Sequence, residues 1–271
     1  MMSLSIQATW LRGNIRSKLS RISKAKFKSI ELSENDLIDA KEDGEDLKAL
    51  LFEYGLRLSI FEISSNLQGI NDNPDKETIK KIDLKFEAAK SLGSKLILLK
   101  STNLKKNYLD CSSIERALNY IALRASHFRV RVAYMSIPTD VSIGNLDPAI
   151  KIIESIGSPY LGLAINSRYT LSNGSRPSEL RDVPIHRIFH VQLCDGYVQQ
   201  PASEEQSNHS DMLPGQGNLN LAGFVKVIAA SGYKGNWSLA KIDSKKAKKS
   251  FIDNAYDAYR ALVNLLDEVE R

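Results

Sequence analysis

Short apolar runs and amphipathic helical runs alternate along this chain eight times, at a spacing of about 30 residues. Strand-like runs fall at 4–9, 27–32, 56–63, 95–99, 130–137, 161–166, 188–194 and 236–240. Between them lie runs with apolar residues at helical spacing, such as Ile79, Ile82, Phe86 and Ala89. Gly55, Gly93 and Gly157 follow such runs and stop them. A last helical run over 251–269 turns Tyr256, Tyr259, Leu262 and Leu265 inward. Each strand is too far from the next for a hairpin and is followed by a helix, so the strands must run parallel.

Eight such units predict an α/β fold: a single (β/α)8 TIM barrel occupying residues 1–271. The unit between strands six and seven is the shortest, with only 177–182 left for its helix. The alternative, an open doubly wound sheet, lacks a Gly-x-Gly-x-x-Gly turn after its first strand. No Pro/Gly/Ser-rich linker divides the chain. In the seventh strand His190, Gln192 and Cys194 share one face while the other is apolar. A mixed polar face opposite an apolar one suits a barrel strand whose apolar side meets helices.

Composition narrows the function classes. The net charge of +5 and a pI near 9.0 fit solvated lysines and admit anionic partners. Cys111 and Cys194 have neither metal nor disulfide spacing, which fits a cytoplasmic protein. The N-terminus lacks the basic and apolar regions of a signal peptide, and no apolar run nears a membrane span. No P-loop, His-Glu-x-x-His motif or Ser-His-Asp order is present.

The run His190–Asp195, then Pro214-Gly215-Gln216-Gly217, then Gly232-Tyr233-x-Gly235 and Trp237-Ser238-Leu239, resembles the sugar phosphate isomerase/epimerase family. This is the xylose-isomerase-like TIM barrel group, which includes type-IV-like endonucleases. Glu34-Asn35-Asp36-Leu37 adds a likeness to its bacterial 3-dehydroshikimate dehydratase branch. The resemblance implies one divalent metal at the C-terminal strand ends. Its ligands would be a Glu after strand five, an Asp after strand six, a Gln or His after strand seven and a Glu after strand eight. Here those positions hold Met135, Asn166, Gln192 and Ala240, so only Gln192 is retained. Hard cations need carboxylate oxygens, and three are replaced by a thioether, an amide and a methyl group. The branch's substrate-holding residues depart too: Ser64-Ser65-Asn66, Asn166-Ser167-Arg168-Tyr169 and Asn208-His209-Ser210-Asp211 stand in their places.

Glu62, Gln192, Asp195 and His209 could form a substitute metal site. The simpler reading makes Glu62 a solvated carboxylate, Asp195 a turn residue bonded to backbone N–H groups, and His209 an exposed loop residue. His190 reads as a hydrogen-bonded interior residue, and His127 and His186 as surface residues. Three cationic groups are expected at the functional end: Lys100, Lys105 and Lys106; Arg168 and Arg176; and Lys241, Lys245, Lys246, Lys248 and Lys249. An anion between Lys241 and the last helix would suit that fold position.

The expected protein is therefore a barrel that has lost metal-dependent catalysis and binds a small polar or anionic molecule through Glu62, Asn166, Gln192, His209 and Lys241. No cofactor and no membrane contact are expected, and an oligomer is compatible with the sequence. The alternative is an active lyase or isomerase on a small hydroxylated carbonyl compound. A nucleic-acid-binding relative of the endonuclease branch is disfavoured, because that branch needs a cluster of His, Asp and Glu ligands and this chain has four histidines in total.

Overall fold

Local capping signals decide where the helices begin. Asn14 accepts the Ser17 N–H at 3.0 Å and opens α1 (Ile15–Lys24), which buries Ile15, Leu19 and Ile22 along one stripe. Ser33 and Asp36 form a reciprocal capping box at α2 (Glu34–Glu42). Asp46 opens α3 (Leu47–Glu53) and Asp75 opens α4 (Lys76–Ser91). Asp110 caps α5 (Cys111–Phe128), whose buried Ile114, Ala117, Leu118, Ile121, Ala122 and Ala125 keep helical spacing. Then follow α6 (Leu146–Ile156), the short α7 (Ser167–Leu171), α8 (Leu221–Ala230) and α9 (Ala255–Glu270). The computed structural model describes residues 3–64, 70, 73–101, 110–137, 146–172, 175–198, 212–241, 252 and 254–270.

The strands are β1 (Ser3–Gln7), β2 (Ser29–Ser33), β3 (Arg57–Ile63), β4 (Leu96–Lys100), β5 (Arg131–Met135), β6 (Leu161–Asn166), β7 (Ile188–Leu193) and β8 (Asn236–Leu239). They follow one another in sequence order around a closed barrel, and each printed pairing is parallel. This is the (β/α)8 fold that the strand–helix rhythm predicts.

The chain divides into two units, 1–57 with 165–185 and 190–271, and 58–164 with 186–189. In the first unit Ser5 pairs with Ser29 and Ser238, and Ser238 with Gln192. Gln7 pairs with Glu31 on the same face. All six side chains are buried. Ile6, Ile30, Val191, Trp237 and Leu239 alternate with them and are also buried, so this sheet is covered on both faces. In the second unit Glu62, Leu98, Lys100, Ala133 and Met135 share one face by register, and Phe61, Ile97, Leu99, Val132 and Tyr134 the other. Gly162 pairs with Ala133 there, and a Cβ on it would stand 2.6 Å from the Arg187 carbonyl and 2.7 Å from the Phe189 ring. The strand can pass only without a side chain.

A turn after β7 fastens the first unit. Asp195 is buried, and its Oδ1 accepts the Gly196 N–H at 2.8 Å. Its Oδ2 accepts the N–H groups of Gly215 and Gly217 at 2.9 and 3.0 Å. The Pro214-Gly215-Gln216-Gly217 segment thus wraps a carboxylate of the chain itself. A Cβ on Gly217 would fall 2.1 Å from the Gly196 carbonyl, so the close approach requires glycine. Asn220 then caps α8 through the Gly223 N–H at 2.9 Å.

The structure adds one helix and alters two local expectations. Residues 34–42 form a helix that apolar spacing does not reveal; its first turn is signalled by the capping box instead. The segment Pro177–Asp182 is a 3-10 helix. Tyr256 is 40% exposed and stacks on Tyr259, which meets Phe27 edge-on; only the latter tyrosine faces the core. The buried stripe of α9 runs through Ala255, Ala258, Leu262, Leu265 and Leu266, and Tyr256 falls outside it.

Candidate functional site

In the first unit the buried face of β2, β6 and β7 carries a linked polar chain. Asn166 ends β6 and caps α7, its Oδ1 accepting the N–H groups of Arg168 and Tyr169 at 3.0 and 3.3 Å. Its amide nitrogen therefore turns away from the helix and donates to Gln192 Oε1 at 3.2 Å. Gln192 presents its own NH2 to Glu31 Oε2 at 2.7 Å. The other oxygen of Glu31 lies 2.6 Å from His190 Nε2, the ring nitrogen that must carry the proton to bond a carboxylate oxygen. The four side chains are within 2% of full burial. Every amide orientation in the chain is fixed by the partner before it.

Nearby in the same unit, Ser167 Oγ bridges the backbone of Cys194, donating to its carbonyl and accepting its N–H, both at 2.9 Å. Gln7 Oε1 accepts the Lys241 N–H at 2.8 Å. The Lys241 ammonium lies 5.4 Å from the centroid of the Trp10 ring, a cation–π contact at a side chain only 9% exposed. The hydroxyl of Ser238 and the indole N–H of Trp10 are buried with no hydrogen-bond partner among the described residues.

In the second unit Glu62 and Lys100 form an ion pair at 2.8 Å near the ends of β3 and β4. Their side chains are 17% and 13% exposed. Glu62 is thus a paired carboxylate rather than the solvated one its position in sequence suggests. Lys100 is the register partner of Met135.

The structure brings Asn166 and Gln192 together. It places Lys241 against Trp10, and Glu62 on Lys100. His209 lies outside the described residues, as do Lys105, Lys106, Lys245, Lys246, Lys248 and Lys249. Arg176 is exposed and pairs with Glu179 at 3.5 Å. His190 has the interior hydrogen bond expected of it, and His127 and His186 are on the surface. Glu31 was not among the candidate residues. Its signal is a single carboxylate between Ile30 and Leu32, on the alternate face of a strand whose neighbours are apolar.

Comparison with known proteins gives the chain its relatives. A family model described as a xylose isomerase-like TIM barrel matches residues 19–267. The chain belongs to this family. Among curated proteins it is 28% identical, over 97% of its length, to a 3-dehydroshikimate dehydratase of Pseudomonas aeruginosa. It is 27% identical over 98% to the enzyme of the same description from Pseudomonas putida. The chain spans only 42% of either relative. Among solved structures, a xylose isomerase-like TIM barrel/4-hydroxyphenylpyruvate dioxygenase fusion protein superposes with a TM-score of 0.85 at 26% identity, covering 99% of this chain and 43% of that one. An IOLI protein with a binding zinc atom superposes at 0.78 with 17% identity, covering 99% and 98%, a likeness of fold.

The residues of this xylose isomerase-like barrel do not fit the divalent metal that the family resemblance implies. Of the four positions, Met135 and Ala240 carry no oxygen on their side chains, and both are buried. The two amide oxygens that remain are already occupied by N–H donors: Asn166 Oδ1 by the start of α7, and Gln192 Oε1 by Asn166 itself. Among the described residues no group of three His, Cys, Asp or Glu side chains is arranged to hold a metal ion.

Proposed function

We propose that this chain binds a small polar or anionic molecule at the C-terminal ends of its strands without the divalent metal, and that it has lost the metal-dependent catalysis. One observation carries the reading: the Gln192 carbonyl, the single ligand position retained from the family, accepts a hydrogen bond from Asn166. Metal binding there would first have to break that bond, and would then meet neutral donors where a hard cation needs anionic ones. The buried Ser238 hydroxyl and Trp10 N–H support the ligand half of the reading, since buried polar groups ordinarily have a partner. No cofactor and no nucleic acid enter this reading. A cytoplasmic setting is part of the proposal; no helix of the described residues is long and apolar enough to cross a membrane.

A second reading rests on the 28% identity to the Pseudomonas aeruginosa dehydratase: a lyase or isomerase acting on a small hydroxylated carbonyl compound with a rearranged site. Titration calorimetry with manganese, magnesium, cobalt and zinc separates the two. The expected result is no one-to-one binding tighter than about 1 µM, together with no loss of water from 3-dehydroshikimate. A tight stoichiometric site that disappears in Gln192→Ala overturns the first reading and restores the second.

A further inference from the structure

Two helices of the second unit each turn a leucine to solvent. Leu84 of α4 is 53% exposed and Leu123 of α5 is 61% exposed. A bridge holds their surroundings together: Arg124 Nε and Nη2 donate to the two carboxylate oxygens of Asp83, both at 2.8 Å. Phe86 of α4 also stacks on Phe128 of α5, with ring centroids 5.3 Å apart. Leu84 follows Asp83 and Leu123 precedes Arg124. Each leucine therefore lies on the solvent side of the bridge, away from the buried stripe of its helix. Single exposed leucines are ordinary, but these two share one surface. A groove of about 400 Å3 runs along α4 beside Leu84. Its lining residues Lys76, Ile79, Lys80, Asp83, Leu84 and Glu87 recur every three or four positions, so it follows one side of the helix for about three turns. A trough of that shape suits the side-chain ridge of another helix.

The charges on this face match themselves. Lys80 and Glu87 flank Leu84, one turn before it and one turn after, and all three line the groove. Among the described residues neither of the two charges has an ion-pair partner, whereas Lys81 pairs with Glu77 at 2.6 Å and Asp83 with Arg124. We propose that the outer face of α4 and α5 is the contact between two copies of this chain, packed about a two-fold axis beside Leu84. Across such an axis the two α4 helices run antiparallel. Lys80 of each copy then meets Glu87 of the other, and the leucines meet at the centre. A parallel packing would set like charges against each other. A second copy satisfies both charges at once, and this complementarity favours it over an unrelated partner. Two helix flanks make a small interface, so the dimer should dissociate in the micromolar range. The association goes beyond the ligand reading and does not depend on it.

The test is sedimentation velocity of the full chain from about 1 µM to about 300 µM, the span in which a small interface dissociates. Wild type should pass from monomer to dimer, less readily as salt is raised. Lys80→Glu and Glu87→Lys should each weaken association by about tenfold or more, since each sets two pairs of like charges across the axis. The decisive arm mixes the two variants in equal amounts. One then carries two acidic residues and the other two basic ones, so a mixed dimer should form at least as tightly as wild type. Leu84→Asp should weaken association by about tenfold or more, because it puts two carboxylates at the centre. Phe52, 91% exposed on α3 of the first unit, gives the control: Phe52→Ser should associate like wild type. All five positions changed or compared lie on the surface, and circular dichroism checks that each variant is folded. A chain that stays monomeric throughout overturns the proposal, and an unrelated protein would then be the occupant. So does association unchanged in both charge variants, failure of the mixture to form a dimer, or loss of the dimer in Phe52→Ser instead.

Discussion

Replacing Glu31 by alanine should cost about 3–5 kcal/mol of stability, the range seen when one partner of a buried charged or hydrogen-bonded pair is removed. The loss has two parts. The His190 ring and the Gln192 amide each keep an N–H pointed at a place where no acceptor remains, at about 1–3 kcal/mol for each. The vacated side chain also leaves a hole in a closely packed strand layer. Glu31→Gln should cost less, because it fills the space and keeps one acceptor oxygen. Urea denaturation followed by circular dichroism gives both values. An alanine variant within about 1 kcal/mol of wild type would show that the polar chain contributes little, since that is the average cost of any substitution.

A comparable loss is expected at the turn after β7. Asp195→Ala leaves the N–H groups of Gly196, Gly215 and Gly217 without their acceptor. With each orphaned buried donor at about 1–3 kcal/mol, and some relief from water, the variant should lose on the order of 3 kcal/mol or more. Gly217→Ala should be as severe for a different reason: its Cβ collides with the Gly196 carbonyl and lies 2.5 Å from Asp195 Oδ1, and backbone cannot swing aside as a lysine tip can. Asn220→Ala, an ordinary cap loss a few residues on, sets the scale at about 1 kcal/mol. Thermal unfolding of the three variants orders them. If Asp195→Ala melts no lower than Asn220→Ala, the carboxylate does not organise the turn.

The barrel could be read from sequence because its signal is local and repeated: each strand–helix unit carries its own apolar period and stop. Two of the positions that the resemblance assigns to metal ligands, Met135 and Asn166, do end strands, as the extent of the apolar runs predicts. The partners could not be read. Glu31 meets His190 and Gln192 across 159 and 161 residues of chain, and no local pattern joins them. Glu62 and Lys100 appear in sequence as unrelated charges, one at the start of a loop and one in a lysine-rich group; only the pairing of β3 with β4 makes them a unit. Lys241 looked like a free cation for the same reason, and the fold sets it on the Trp10 ring.

The hydrogen bonds from Asn166 to Gln192 to Glu31 all run in one direction, and this constrains the substitutions that the chain can accept. Asn166→Asp would set a carboxylate oxygen against the Gln192 carbonyl. The glutamine could answer only by turning over, which would point its oxygen at the Glu31 carboxylate. An acidic residue at 166 is therefore harmful unless residue 192 changes with it, and a change at 192 in turn disturbs Glu31. The direction of the hydrogen bonds thus couples substitutions at positions that lie 26 and 161 residues apart in the chain.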